Sequence, residues 1–532
     1  MFVRVKRNTY GKNIREYLQI VETIREGKRT KQRLICSLGR LDKLQAGHSV
    51  EQLVSSLSKF SKEVMVIQRQ KEGALRAEWS KAWGPVLIFD RLWEECGLRE
   101  IIARLADGRK HGFDTERVVF SLILNRILSP GSELATARWV EDVYGDGFQS
   151  LELQHFYRSL DFLEANKENI EKELFFRSRD LFDTHLDLVF FDTASIYFEG
   201  EGPGGLAEYG HSKDHRSDRK QIVVGVMMSR EGVPLACEFW PGSTSDVKTL
   251  KKTTRILKER FRIGRVILVC DRGMMREENV REVEESELDY IFGVRMRLVK
   301  KVREKVLSCC GRYHAVADNL RVKEVILQDT RYIICHNPEE EEQDRKRREH
   351  IIRQLEEKIA TQGIKGFMAN RAYKKFLIVK GKEVSLDHKR IEEESRFDGK
   401  FVLTTNTSLS SEEVAVAYKS LWQIERVFRT LKNVLEVRPV YHWKPERVKA
   451  HIFVNFLALY LMVRLQKRLK EVELKPSWDE MKRDLEAVKA IKLELEGQPY
   501  LLRTELRGVA HDVFRAVGVR PPKVVQPFSA LK

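Results

Sequence analysis

The chain has 532 residues, 42% of them hydrophobic and 33% charged, which is long enough for roughly two to four soluble domains. Lys and Arg number 96 against 79 Asp and Glu, and the net charge of +17 predicts a polyanionic partner, nucleic acid ahead of an anionic membrane. Seven cysteines scattered over so long a chain exclude a disulfide framework.

Residues 1–48 are predicted to form a small basic module rich in β-structure. The runs VRVKR, REYLQIVETI and KQRLICSLG alternate apolar and polar residues, as short antiparallel strands do. Residues 1–44 hold 12 Lys and Arg against 4 Asp and Glu, a concentration that favours DNA binding over a merely solvated sheet face. The basic start lacks the apolar segment of a secretory signal, so a cytoplasmic protein is expected.

Residues 49–182 change to a helical period, as in VLIFDRLWEECGLREII, and predict an all-helical second module without a catalytic signature.

The residue pattern changes from helical to strand-like at residue 183. The runs LDLVFFDTASIYFE, KQIVVGVMMS and VPLACEFW predict three neighbouring strands, followed by a helix and by the strands VILVC and DYIFGVR. Three strands, a helix and a strand is the order of a ribonuclease H-like α/β core, whose mixed sheet has its fourth strand parallel to the first.

The predicted α/β domain spans residues 183–464. An insertion at about 297–400 holds strand-like pieces and the charged helix EEEEQDRKRREHIIRQLEEKIA, and FVLTTN then resumes the core with a strand. The apolar run IFVNFLALYLMV is shorter than the roughly 20 residues of a membrane span, so it predicts a buried helix and no membrane association. Residues 465–532 are predicted to form a helical carboxyl-terminal tail.

Three carboxylates on separate core elements carry the candidate chemistry. Asp192 lies among apolar neighbours in the first strand, Asp271 follows VILVC at the strand's carboxyl end, and Glu425 lies on the helix after the resumed core. Together they would repel one another unless a cation lay between them. Oxygen-only ligands of high charge favour Mg²⁺ or Mn²⁺, and two such ions suit phosphoryl transfer.

Glu425 is predicted to lie on the packed face of its helix. One stripe at helical spacing holds Val414, Tyr418, Leu421, Glu425, Phe428 and Lys432. A charge on such a stripe is costly unless something pairs it. Glu425 is therefore either an ordinary ion-pair partner of Arg429 one turn later or the third metal ligand.

These residues resemble the DDE transposases of bacterial insertion sequences, in the group whose signature is Tyr, two residues, Arg, three residues, Glu, six residues, Lys. Tyr418, Glu425 and Lys432 fit that spacing, whereas Leu421 stands at the Arg position. FFDTASIYFE and VCDRGM match the segments around the first two acids, and the similarity covers about residues 185–465.

The resemblance implies an enzyme that hydrolyses DNA at the ends of the element and transfers the freed 3′ hydroxyl to another phosphodiester. The catalytic metal ligands that it implies, for two Mg²⁺ or Mn²⁺ ions, are Asp192, Asp271 and Glu425. The DNA contacts are Tyr418 and Lys432, with charge nearby from Arg426 and Arg429. The implied partners are double-stranded DNA, as element ends and target, and a second copy that completes a homodimer on paired ends.

Two other functions stay open: a nuclease with the same core that cuts without strand transfer, and a catalytically inactive DNA-binding relative. The stretch GEGPGG fails as a dinucleotide-binding loop because no amphipathic helix follows it. A zinc site is not predicted either, since no common ligand spacing fits Cys309, Cys310, His314, Cys335 and His336.

Overall fold

The computed structural model describes residues 2–10, 13–26, 29–46, 49–58, 76–108, 112–178, 187–210, 212, 216–261, 266–275, 277–362, 375–380, 383–495 and 498–528. The chain divides into two compact units. One comprises Met1–Ala82, Ala487–Leu506 and Pro521–Leu531, and the other comprises Trp83–Glu486 and Arg507–Arg520.

The strands and helices are numbered separately in chain order. The strands are β1 (Phe2–Tyr10), β2 (Asn13–Glu26), β3 (Arg29–Arg40), β4 (Arg76–Ala82), β5 (Asp187–Tyr197), β6 (Gln221–Ser229), β7 (Pro234–Pro241), β8 (Val266–Cys270), β9 (Asp289–Val294), β10 (His314–Ala317), β11 (Leu320–Leu327), β12 (Thr330–His336), β13 (Leu377–Lys380), β14 (Glu383–Leu386), β15 (Lys400–Thr405), β16 (Lys489–Leu495), β17 (Gln498–Arg503) and β18 (Val525–Pro527). The helices are α1 (Leu41–Ala46), α2 (Ser49–Ser58), α3 (Gly84–Glu95), α4 (Leu98–Ala106), α5 (Thr115–Leu128), α6 (Glu133–Trp139), α7 (Leu153–Ser178), α8 (Asp246–Glu259), α9 (Glu277–Glu285), α10 (Lys300–Glu304), α11 (Pro338–Gln362), α12 (His388–Ser395), α13 (Ser411–Lys419), α14 (Trp422–Asn433), α15 (Pro445–Glu471), α16 (Trp478–Glu486) and α17 (Ala510–Val517).

The amino-terminal strands form a separate antiparallel sheet. Their order is β1-β2-β3, and every pair is antiparallel. Alternation of apolar and polar residues places successive side chains on opposite faces, and the strands predicted from that alternation are confirmed.

A large mixed sheet forms the centre of the second unit, in the order β10-β11-β12-β15-β9-β8-β5-β6-β7. β6 runs antiparallel to both β5 and β7, whereas β8 is parallel to both β5 and β9. The parallel arrangement expected between the first and fourth predicted strands, β5 and β8, is therefore confirmed. A buried apolar cluster, including Phe191, Leu268 and Phe292, packs between these strands and α8 and α9.

The stretch predicted as an insertion contributes to the large sheet itself. β10, β11 and β12 continue the sheet beyond β15, which pairs with β12 on one side and with β9 on the other. The predicted charged helix is α11, and β13 and β14 form a two-stranded sheet beside it. A period-two pattern identifies strands but not the sheet that they join, so the continuation was not visible in the sequence.

The prediction of a helical carboxyl-terminal tail is wrong for residues 489–503. β16 and β17 pair as antiparallel strands, with β18 beyond β17 and β4 on the other side of β16. The same pairing places β4 within the stretch predicted as all helical. Leu, Lys and Glu in KAIKLEL are strong helix formers, but the alternation from Ile491 to Leu495 is a strand pattern, and the partner strand decides the outcome.

The apolar run at residues 452–463 lies inside α15, a core helix. By length and composition α15 reaches the threshold for a membrane span, but 83% of its most apolar window is buried inside the protein. It packs against α5, α7 and α14. The predicted buried helix is thus confirmed, and it connects the helical region with the segment that carries Glu425.

Candidate active site

Asp192 and Asp271 occupy equivalent positions on two neighbouring parallel strands. β5 and β8 pair in register up to Phe191 with Cys270, and each carboxylate comes one residue later. Adjacent strands lie about 4.8 Å apart, so the two residues are side by side. Asp192 is half-buried and Asp271 is exposed, which leaves these carboxylates accessible at the carboxyl end of β8.

Cys270 directly precedes Asp271, but its side chain lies in the buried apolar cluster. Burial raises the pKa of its thiol well above the usual value, and the negative charges of Asp192 and Asp271 raise it further. The thiolate is the form that binds metals. The donors offered at this edge are therefore carboxylate oxygens, the ligand type that hard divalent cations prefer.

Tyr418, near the end of α13, fixes the orientation of Asp271. Its hydroxyl donates a hydrogen bond to Asp271 Oδ1 at 3.0 Å, and its ring stacks on Phe401 of β15 with centroids 5.8 Å apart. Burial, followed by the charge of Asp271, raises the pKa of Tyr418. The hydroxyl therefore remains a donor through the alkaline range, and one oxygen of Asp271 is held while the other stays available.

Gly293 of β9 provides the space for this hydroxyl. A Cβ atom at Gly293 would lie 2.2 Å from Tyr418 Oη and 3.0 Å from the backbone nitrogen of Arg272. Sequence reasoning missed this residue. The available signal was a glycine inside the buried strand DYIFGV, since a glycine within a strand often marks a close approach of another group.

Glu425 does not lie on a packed stripe, and that prediction is wrong. The helix breaks at Ser420 and Leu421, so α14 starts anew at Trp422. Glu425 falls in the first turn of α14 and is exposed. The buried face of α14 consists of Ile424, Val427, Phe428 and Leu431. The break changes the phase of the helical repeat, which moves the charge from the core to solvent.

α14 nevertheless packs against β5, the strand that carries Asp192. The carboxylate oxygens of Asp192, Asp271 and Glu425 do not all lie within 4.8 Å of one another. The structure therefore brings Asp192 and Asp271 together on the sheet and places Glu425 on a helix that contacts it. Three accessible carboxylates fit a hard divalent cation in charge and in donor type.

The predicted DNA-contacting cations lie on α14. Arg429 lies four residues after Glu425, and Lys432 lies three residues after Arg429, so all three are on the same side of the helix. Arg426 instead donates a hydrogen bond to Gln466 of α15 at 3.3 Å. Leu421, at the Arg position of the signature, is 91% buried, so it serves packing rather than a phosphate contact.

Two further stretches of the sequence are the glycine-rich segment at residues 200–205 and the cysteines and histidines at residues 309–336. After Gly200–Gly205 the described residues up to β6 form turns and a β-bridge rather than a helix. Among the described residues, three potential metal ligands converge within 4.8 Å at Glu133, His442 and His451, and not at the cysteines around residues 309–336.

The sequence matches two models of known protein families. The family model described as the transposase DDE domain matches residues 185–461, 277 of the 532 residues and just over half of the chain. The chain belongs to the DDE transposase family. A second model, the amino-terminal domain of IS1634 family transposases, matches residues 3–72 of this DDE transposase. Members of the DDE family use divalent metal ions.

Individual relatives of this DDE transposase match over shorter stretches. The transposase of insertion sequence IS231E from Bacillus thuringiensis subsp. finitimus is 26% identical over 127 residues, 23% of this chain and 26% of the relative. The IS421 transposase from Escherichia coli is 43% identical over 53 residues, 10% of this chain and 14% of the relative. The chain thus aligns with about a quarter or less of these relatives' lengths.

Among solved structures, a piggyBac transposase synaptic complex with hairpin DNA is similar at a TM-score of 0.37 and 10% identity, covering 76% of this chain and 79% of that chain.

Proposed function

We propose that this protein cuts DNA at the ends of an insertion sequence and transfers the freed 3′ hydroxyl to another phosphodiester. One observation carries the proposal: inside the family match, Asp192 and Asp271 lie in register on parallel strands, and Glu425 lies on a helix that packs against the first of them. Carboxylates from separate elements at the carboxyl end of a central strand are what metal-assisted phosphoryl transfer requires.

The proposed core is ribonuclease H-like. Its support is the strand order β9-β8-β5-β6-β7. β6 is antiparallel to β5 and to β7, whereas β8 and β9 run parallel to β5. This order follows from the succession of three strands, a helix and a strand, because the helix α8 returns the chain to the other side of β5.

Asp192, Asp271 and Glu425 would hold two Mg²⁺ or Mn²⁺ ions, which supply charge neutralisation at the attacking and leaving oxygens. The chain's own residues do the positioning. Tyr418 holds one oxygen of Asp271, and Gly293 leaves room for that contact. Because its hydroxyl is already engaged with Asp271, we assign Tyr418 to positioning rather than to a DNA phosphate contact.

The DNA contacts that we propose come from α14 and from the amino-terminal part of the chain. Lys432 and Arg429 share the exposed side of Glu425, where they would hold phosphates near the cleaved bond, and Arg426 adds charge beside them. Residues 1–48 and 49–182 would recognise the element ends, and residues 183–464 would cut and join. We further propose a homodimer on paired ends, working on DNA in the bacterial cytoplasm.

The test is cleavage of a supercoiled plasmid that carries the flanking element ends, with Mg²⁺ or EDTA, by wild type and by Glu425→Gln. Glu446→Gln is the matched control, since Glu446 is also an exposed glutamate in the first turn of a helix. We expect metal-dependent nicking and joined products with wild type and the control, and a loss of both with Glu425→Gln while DNA binding persists.

Other outcomes separate the alternatives. Nicking at the ends without any joined product identifies a nuclease that lacks strand transfer. Binding without cutting by the wild type, in Mg²⁺ and in Mn²⁺, contradicts the proposal and identifies an inactive DNA-binding relative.

A further inference from the structure

A second group of potential metal ligands lies among the helices, built from residues far apart in the sequence. Glu133 is the first residue of α6, His442 lies between α14 and α15, and His451 lies in α15. Their exposed fractions are 2%, 7% and 1%. Glu133 Oε1 lies 3.0 Å from His442 Nε2 and 3.9 Å from His451 Nδ1, and the three ligand atoms all lie within 4.8 Å of one another.

The tautomer of His451 is set by its other nitrogen. Nε2 lies 3.2 Å from the carbonyl oxygen of Val437, which accepts a hydrogen bond and so assigns the proton to Nε2. Burial, followed by the charge of Arg126, lowers the pKa of His451 and keeps the ring neutral. Nδ1 therefore presents a lone pair towards Glu133.

Glu133 presents a negative charge to that lone pair. Burial acts to raise the pKa of Glu133, but the contacts with His442 and His451 outweigh it and lower the pKa well below the usual range. His442 Nε2 lies 3.0 Å from Glu133 Oε1, but within the described part of the chain neither this nitrogen nor His451 Nδ1 makes a hydrogen bond of acceptable geometry. Buried nitrogens without partners are costly, and a cation bound between the carboxylate and the two ring nitrogens would satisfy all three groups.

We propose that Glu133, His442 and His451 bind a divalent transition metal, with Zn²⁺ as the best fit. Two imidazoles and a carboxylate are a common zinc donor set, and ligands at 2.0–2.2 Å in tetrahedral geometry are roughly 3.4 Å apart, between the two separations found here. Val437 plays the part that a backbone carbonyl plays behind metal-bound histidines. Nitrogen donors also distinguish this site from the all-carboxylate edge of the sheet.

Arg126 is the competing cation. Its guanidinium is buried and donates to the carbonyl of Gly131 at 2.9 Å, while its Nε has no hydrogen-bond partner in the described part of the chain. Its charge acts on Glu133 and His451. Arg126 offsets the carboxylate charge, but it forms no hydrogen bond with either histidine nitrogen, so it leaves both ring nitrogens without a partner among the described residues.

A metal here would tie α6 to the segment between α14 and α15. That segment directly follows the helix of Glu425. The bound ion would therefore hold the end of α14 in place from outside the catalytic carboxylates. This role is structural, and it does not depend on the reaction that the carboxylates perform.

The experiment is metal analysis of the full-length protein after expression with added Zn²⁺ and dialysis, compared with His442→Ala and Glu133→Gln. His511→Ala is the matched histidine control, because its side chain is 69% exposed on α17. Cys310→Ser tests binding at the cysteines, and Asp271→Asn tests binding at the catalytic carboxylates. We expect about one zinc per chain in the wild type and these three controls, and at most a tenth of that in the two site variants.

Thermal unfolding of the wild type supplies a readout that does not depend on variants folding. We expect a chelator to lower Tm and Zn²⁺ to restore it, since a ligand that binds only the folded state stabilises it. A metal-free wild type whose Tm does not respond to Zn²⁺ overturns the proposal and leaves Arg126 as the sole balancing charge. Zinc retained by both site variants overturns it as well.

Discussion

At the scale of single residues, the candidate active site depends on how Asp271 is oriented. Tyr418 and Gly293 cooperate in this: one provides the hydrogen bond and the other the space for it. The sequence placed Asp271 correctly, because a carboxylate after a buried strand is conspicuous. It did not predict the hydrogen bond between Tyr418 and Asp271, because a hydroxyl's partner depends on residues that the pairing of β9 and β15 brings together.

Tyr418→Phe is expected to lower DNA cleavage by about 10- to 100-fold at limiting Mg²⁺, the usual cost of losing a group that orients a metal ligand. The ring keeps its stacking on Phe401, so the fold should be unchanged. Cleavage rate against Mg²⁺ concentration is the measurement, and the variant should need more Mg²⁺ for half-maximal rate. Tyr209→Phe, at an exposed tyrosine, is the control. An unchanged Mg²⁺ dependence would reduce Tyr418 to a packing residue.

At the scale of elements, the break between α13 and α14 is the main departure from the sequence prediction. Helical spacing runs through Tyr418–Lys432 without a proline or glycine to mark a stop. The chain turns at Ser420 and Leu421 because α13 packs against β9 and β11, whereas α14 packs against β5 and α15. Tertiary packing decides such a break, and local propensity does not report it.

α13 is held at its other end by a capping box. Ser410 Oγ accepts from the Glu413 backbone at 3.2 Å, and Glu413 Oε2 accepts from the Ser410 backbone at 2.9 Å. Ser410→Ala should destabilise this helix start by about 1 kcal/mol, which corresponds to roughly fivefold faster amide exchange in the first turn. Hydrogen–deuterium exchange is the measurement, with Ser408→Ala as control.

The capping effect should also depend on pH. Hydrogen bonds from the Ser410 backbone, and then from its side chain, lower the pKa of Glu413 below its usual value. A lowered folded-state pKa means that the stabilisation is present above the ordinary glutamate pKa, about 4.3, and is lost as pH falls through the folded value. The difference in first-turn amide exchange between wild type and Glu413→Ala should therefore narrow below about pH 4; a constant difference would mean that the charge of Glu413 adds nothing.

At the scale of the whole molecule, local patterns predicted β5 to β9 in chain order and the neighbouring positions of β5, β6 and β7, because sequential strands usually become neighbours. They did not predict that β16 pairs with β4, about 400 residues away in sequence, or that β12 pairs with β15 across the predicted insertion. The cluster of Glu133, His442 and His451 likewise depends on contacts between residues far apart in the sequence. No spacing rule connects residue 133 with residue 442, and only the packing of α15 brings them together.

The register of β1, β2 and β3 determines which basic side chains share a face of the amino-terminal sheet. In the amino-terminal sheet, Lys6 pairs across from Tyr17 and Arg15 from Asn8, which places both cations on one face. Arg7 and Arg33 lie on the opposite face, where they form ion pairs with acidic neighbours at 2.8 and 2.7 Å. Glu16 and Glu22 therefore offset part of the positive charge on the face that carries Arg7 and Arg33.

This offset gives a prediction about salt dependence. Each phosphate contact contributes about −0.9 to the slope of log affinity against log salt concentration, so Lys6→Gln should reduce the slope's magnitude by about 0.9. Arg7→Gln removes the same charge but should change the slope less, because Glu16 already competes with phosphate for this arginine. Titrating element-end DNA at several salt concentrations measures both slopes, and an effect of Arg7→Gln that equals or exceeds that of Lys6→Gln would contradict the prediction.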